Sequence, residues 1–141
     1  MYTYNVEVTR VVDGDTVDVD IDLGFGMVYK KQRVRLMGID TPESRTRNLE
    51  EKFYGLKAKE FMKSMVEGKS GVKLVSHDKG KFGRILGELF IKETDISVNQ
   101  LMIDNWHAVP YLGQSKADTE AGHLMNRAAL NEQGIIYKSD E

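Results

Sequence analysis

Apolar and polar residues in the first third of the chain alternate with the two-residue period of β-strands, and the later segments change to helical spacing. Val6, Val8, Val11 and Val12 predict a first strand ending at the turn Asp13-Gly14-Asp15-Thr16. TVDVDID then alternates strictly, as a strand buried on one side does. The Gly-rich connector LGFGM leads into a third strand, KQRVRLMGI, which Pro42 stops. From Phe53 onwards, Tyr54, Ala58, Phe61, Met62 and Met65 fall on one face of a helix. GVKLVSH and RILGELFI read as a hairpin joined by the turn DKGKFG. Asp95 is placed to cap a second helix carrying Val98, Leu101, Met102 and Asn105, and Asp118 or Thr119 to cap a third around Leu124, Met125 and Ala128. This order predicts an α+β fold: a small, partly open, five-stranded barrel with a helix inserted after the third strand and three helices in all, which fits an OB-fold. With no linker, repeat or low-complexity segment in the sequence, one domain over residues 1–141 is expected.

The same period assigns faces to the polar residues. Asp15 shares a face with Val17, Val19 and Ile21, while Asp18, Asp20 and Asp22 point to water. A carboxylate on an apolar face is costly unless a cation or hydrogen bonds compensate it. Counting through VRLMGID puts Asp40 with Val34 and Leu36 and sends Arg35 to the opposite face with Met37. Two acids thus lie at the rim of the core, each beside a turn. They are either turn residues bonded to backbone N–H groups, or ligands of a shared hard cation such as Ca²⁺, which accepts irregular oxygen coordination. Zinc fits less well, because there is no cysteine and His77, His107 and His123 stand in no ligand-spaced motif. The histidines read as surface or core-edge residues.

Composition narrows the picture further. A chain of 141 residues, 40% hydrophobic and 30% charged, can bury a core without covalent staples. The net charge of −2 and pI near 6.0 argue against a wholly basic surface. Cations nevertheless cluster, at Lys30, Lys31, Arg33 and Arg35 and again at Lys79, Lys81 and Arg84. The N-terminal MYTYNVEVTR reads as a strand rather than a signal peptide, and no run approaches a membrane span. A cytoplasmic protein is expected, with a processed secreted form as the alternative.

Arg35 and Arg84 offer planar guanidinium groups that bind phosphate oxygens bidentately and stay charged at working pH. Glu43, close to Asp40 in the chain, can orient or deprotonate a water. A cation, two arginines and a carboxylate are the parts that phosphodiester hydrolysis needs, since its main task is to neutralise charge developing at phosphorus. Arg45 acquires no role and reads as a surface residue.

Asp13-Gly14-Asp15-Thr16, then Arg35-Leu36-Met37-Gly38-Ile39-Asp40-Thr41-Pro42-Glu43, then Lys81-Phe82-Gly83-Arg84, in that order and with a helix before the third, resemble the thermonuclease family of staphylococcal-nuclease-like OB-folds. The resemblance runs from about Val6 to Tyr137. It implies that Asp15 and Asp40 ligate Ca²⁺ with the carbonyl of Thr41, that Glu43 acts on the attacking water, and that Arg35 and Arg84 clamp the scissile phosphate, Arg84 chiefly as a charge stabiliser. The activity implied is calcium-dependent cleavage of DNA and RNA, preferably single-stranded, with low sequence specificity and 3′-phosphorylated products. No membrane and no obligate protein partner are expected. Lys81 and Tyr111 match family positions that contact a terminal phosphate and a base, whereas Phe82 and Gly113 stand where tyrosines are usual. The connector LGFGMVYKKQ is longer than in the secreted staphylococcal form, and its Lys30 and Lys31 are placed to reach a nucleic-acid backbone. The acidic net charge is more in keeping with an intracellular or phage-encoded member. A non-catalytic OB-type module, binding nucleic acid or protein through the same groove, is the alternative. Retention of Asp15, Arg35, Asp40, Glu43 and Arg84 favours the enzyme.

Overall fold

A computed structural model describes residues 2–79 and 83–139. Its elements in chain order are β1 (Tyr2–Asp13), β2 (Thr16–Gly24), β3 (Met27–Leu36), β4 (Ile39–Asp40), α1 (Leu49–Val66), β5 (Lys73–Lys79), β6 (Ile85–Phe90), α2 (Val98–Asp104), β7 (Val109–Pro110) and α3 (Lys116–Glu132). Five of the strands form a barrel in the order β1-β2-β3-β6-β5. The barrel is closed rather than partly open, because β3 and β6 pair in parallel at Val34↔Ile85, Arg35↔Leu86 and Leu36↔Gly87. The other neighbours are antiparallel, including β1 with β5. With three helices around it, this is the expected α+β, OB-fold-like architecture.

Alternation in the strands fills the barrel. Val6, Val8, Val11, Val17, Val19, Ile21, Val34, Leu36, Leu74 and Leu89 are buried together with Ala58, Met62 and Val66 of α1 and Val98 and Met102 of α2. Each such aliphatic side chain contributes roughly 1.5–3 kcal/mol relative to exposure. A polar tie secures α2. Asn99 is buried, donates through Nδ2 to the carbonyls of Met37 (2.8 Å) and Gly87 (3.2 Å), and accepts from the Leu89 amide (3.3 Å).

The helix ends differ from the sequence expectations for identifiable reasons. α1 starts four residues before Phe53, because the Asn48 side chain accepts the Glu51 amide at 3.1 Å. Ser97 caps α2 in place of Asp95, and Ser115 caps α3 in place of Asp118 or Thr119, which lie inside its first turn. The face of α3 is also corrected. Leu124 and Met125 are exposed, while Thr119, His123 and Leu130 are buried and Gly122 lies against Val109. α3 therefore turns a largely polar side toward the body of the protein.

The turn after β3 needed a further support that sequence did not show. Gly38, at φ 79°, reverses the chain. The two-residue β4 then pairs with β7 at Ile39↔Pro110 and Asp40↔Val109, and Tyr111 donates its amide to the Gly38 carbonyl at 2.8 Å.

Gly55 of α1 sets the position of the segment that follows. A Cβ built there would collide with the Glu43 carbonyl oxygen and lie 2.7 Å from the Ser44 amide nitrogen. Only a residue without Cβ lets that backbone rest on the helix. Gly55→Ala is expected to lower stability by about 1–3 kcal/mol through overpacking, read as a lower urea midpoint. An unchanged midpoint would show that the Glu43–Ser44 backbone yields freely.

Candidate active site

The convergence begins with Arg35. Its Nη1 donates to the Leu36 carbonyl at 2.8 Å and its Nη2 to the Ile39 carbonyl at 2.9 Å, so the guanidinium spans the turn it precedes. From there Nη2 lies 3.4 Å from Asp15 Oδ2 and 3.8 Å from Asp40 Oδ1. The period-two count had put Arg35 and Asp40 on opposite faces. That count does not survive the Met37-Gly38 turn, which ends β3 at Leu36.

Asp15 sits at the start of β2, nearly buried, where Thr16 Oγ1 donates to Oδ1 (3.0 Å) and the Thr41 amide to Oδ2 (3.3 Å). The Leu36 amide donates to its carbonyl at 2.8 Å, which ties β3 to the DGDT turn. Gly14 permits the close approach of this turn to Thr41 and Ala58. Asp13 is pushed above the ordinary aspartate range by burial, opposed by a hydrogen bond from Ser44, with the Asp15 charge adding to the rise. Two acids, Asp15 and Asp40, therefore meet at one guanidinium, with Asp13 close enough to Asp15 to feel its charge.

A cleft of about 620 Å³ opens beside this cluster, with Asp40, Thr41, Glu43, Tyr111 and His123 on its walls. Glu43 is exposed there, its amide 3.4 Å from Glu51 Oε2. Tyr111 is half-exposed. Gly113, at φ 86°, turns the chain toward α3.

The sequence pattern gave no role to His123. Its Nε2 lies 2.8 Å from Asp40 Oδ2, so Asp40 is held between a histidine and an arginine. The ring is buried and Nδ1 has no hydrogen-bond partner among the described residues. The only signal in the chain was that Thr119 and His123 are a helical turn apart, and it was masked by the stronger apolar pair Leu124 and Met125. His107 is buried too, stacked on Phe61 with ring centroids 4.8 Å apart, and burial pushes its pKa down. His77 pairs with Glu88 at 2.7 Å.

Arg84 does not line this cleft. It immediately precedes β6 and lines a separate groove with Thr9, Arg10, Asp18, Lys31 and Arg33. Lys81 and Phe82 fall outside the described residues.

For a bound cation the test is the donor set. Among the described residues no group of three His, Asp or Glu side chains is placed as a ligand cluster. Asp15, Asp40 and Thr41 nevertheless offer only hard oxygen donors, and the Thr41 hydroxyl is buried with no hydrogen-bond partner among the described residues. Such a set fits an ion that fills its remaining positions with water.

Comparison with known proteins decides the family. The family model described as staphylococcal nuclease homologue matches residues 33–135. The chain belongs to the staphylococcal nuclease family. This is a family of nuclease-type hydrolases, and the matched segment carries Arg35, Asp40, Thr41, Glu43, Arg84, Tyr111 and His123. Asp15 lies before it and joins the others through the β2–β3 pairing. An uncharacterised protein of Methanocaldococcus jannaschii is 28% identical over 153 residues, covering 94% of this chain and 71% of its own. A probable staphylococcal-like nuclease of Oryza sativa is 35% identical over 91 residues, covering 62% and 25%. The thermonuclease of Staphylococcus hyicus is 34% identical over 86 residues, covering 60% of this chain and 47% of the thermonuclease. The match thus spans about half of that nuclease. No described helix is long and apolar enough to cross a membrane.

Proposed function

We propose that the protein is a calcium-dependent nuclease that hydrolyses single-stranded DNA and RNA with little base preference. The observation that carries this reading is the meeting of Asp15, Arg35 and Asp40 at one guanidinium nitrogen, beside a cleft that Glu43 lines. Asp15, Asp40 and Thr41 would hold the ion, with His123 fixing the Asp40 carboxylate through its 2.8 Å bond. When bound, calcium supplies Lewis-acid stabilisation of charge on the phosphate oxygens.

The chain's own groups account for the rest. Arg35 and Arg84 would clamp the phosphate, Arg84 chiefly as a charge stabiliser. Glu43 takes a proton from the water whose oxygen bonds to phosphorus. The P–O5′ bond breaks with its electron pair leaving on the 5′ oxygen, which takes a proton from solvent. The products are a 3′-phosphate and a free 5′-hydroxyl. Phosphate contacts carry little sequence information, which accounts for the low base preference.

Purified protein should digest single-stranded DNA and RNA when Ca²⁺ is added and stop on chelation, leaving ends that accept 3′ extension only after phosphatase treatment. Undiminished cleavage in chelator, or none at any calcium concentration, would overturn the proposal.

A further inference from the structure

The groove that takes in Arg84 has about 860 Å³ of open volume, and its lining draws on the outer surfaces of β1, β2 and β3 as well as Arg84. Arg10, Lys31 and Arg33 share that lining with one carboxylate, that of Asp18. Arg33 binds that aspartate in bidentate fashion, at 2.9 and 3.2 Å, which leaves Arg10 and Lys31 in excess of the carboxylates in the lining. The excess is built into the strand register. A bulge between Val19 and Ile21 sets both Lys30 and Lys31 opposite Asp20. Lys31 is held there at φ 58°, its amide donating to Asp20 Oδ1 at 3.0 Å. A non-glycine residue in this conformation is uncommon, and here it keeps a lysine in the groove.

Beyond the bulge, the β2–β3 hairpin runs into solvent as an apolar arm. Leu23, Met27, Val28 and Tyr29 are exposed, and Phe25 at the tip is 104% exposed. The tip lies six residues from Lys31, roughly 20 Å of strand. On the other side, Arg33 is two residues from Arg35, a step of about 7 Å along one strand face, comparable to the separation of successive phosphates in an extended strand. Regularly spaced cations leading away from a phosphate clamp and ending in bare aromatic surface match one ligand chemistry: a polyanion with flat apolar faces.

We propose that this groove and hairpin arm form a second binding track for single-stranded nucleic acid, with backbone phosphates on Arg10 and Lys31 and a base stacked on Phe25. The track rests on the nuclease reading for its direction, since it leads away from Arg35. Its consequence is length dependence: strands long enough to reach the arm bind more tightly than short ones, while a short substrate is held by the cleavage site alone.

The test is fluorescence anisotropy in chelator, with labelled single strands of about 12 and about 3 nucleotides. The variants are Arg10→Gln with Lys31→Asn, asparagine being chosen because it tolerates positive φ, and separately Phe25→Ser. Both should bind the longer strand at least tenfold more weakly. For the double variant the slope of log affinity against log salt should fall by about 1.4, roughly 0.7 for each phosphate no longer neutralised. Binding of the short strand and, in Ca²⁺, cleavage of a small chromogenic phosphodiester should be unchanged. Circular dichroism checks the fold, and Arg10→Glu alone repeats the charge test without touching the bulge. Parental affinity of the folded variants for the longer strand overturns the track. So does preferential binding of phosphatidylserine vesicles through Phe25, which would make the arm a membrane contact. A protein that binds the longer strand through Arg10 and Lys31 but cleaves nothing keeps the track and refutes the nuclease.

Discussion

Arg35→Lys is expected to slow hydrolysis of single-stranded DNA about a thousand-fold while leaving the protein folded. The guanidinium donates from Nη1 to the Leu36 carbonyl and from Nη2 to the Ile39 carbonyl, and Nη2 also lies within ion-pair distance of the two carboxylates. A lysine ammonium keeps the charge that compensates Asp15. It concentrates its donors on one atom, however, and cannot hold both carbonyls while gripping a phosphate in two places. Arg35→Ala is the poorer test, because it leaves two carbonyls and two carboxylates uncompensated and confounds stability with chemistry. Single-turnover cleavage with saturating enzyme isolates the step, and thermal melting checks the fold. A folded lysine variant within tenfold of the parent would remove Arg35 from the phosphate clamp.

That experiment turns on a geometry which sequence partly concealed. The barrel was legible because Val17, Val19 and Ile21 keep a strict period of two, and the core they form is the one observed. Asp15 could be placed at the core edge by the same count. Arg35 and Asp40 could not be related this way, because the period is broken by a glycine turn and restored by β4 and β7, two-residue strands too short to carry a pattern. The helix caps were misplaced for a local reason. Aspartates near each start competed with the serines that cap α2 and α3, and only side-chain geometry separates the two. α3 was misread because its inward face meets a polar cleft, so hydrophobicity pointed to Leu124 and Met125 while His123 faced Asp40. The chemistry-bearing residues Asp15, Asp40 and Glu43 were legible as types and spacings. What holds the two aspartates, namely Arg35 across its turn and His123 from α3, required the folded chain.

The grip of His123 on Asp40 leads to the second large effect. Asp40→Asn should abolish measurable Ca²⁺ binding by titration calorimetry and with it cleavage, since a neutral amide replaces one of the two carboxylates proposed to hold the ion. His123→Ala leaves both carboxylates in place but frees the Asp40 oxygen now held at 2.8 Å. Partners of this outer kind typically contribute about 10–100-fold to metal affinity, and a loss of that size is expected here. His123→Gln retains an N–H donor at a similar reach and should recover most of the affinity, which a purely steric role for the ring would not predict. Calorimetry reads these outcomes without reference to turnover, so the metal site is tested apart from the reaction. Parental calcium affinity in a folded Asp40→Asn protein would return Asp40 to a structural role in the turn after β3. Equal affinity for His123→Ala and the parent would mean that Arg35 alone positions Asp40. A deficit shared by the alanine and glutamine variants would assign His123 to packing between α3 and β4 rather than to orienting a ligand.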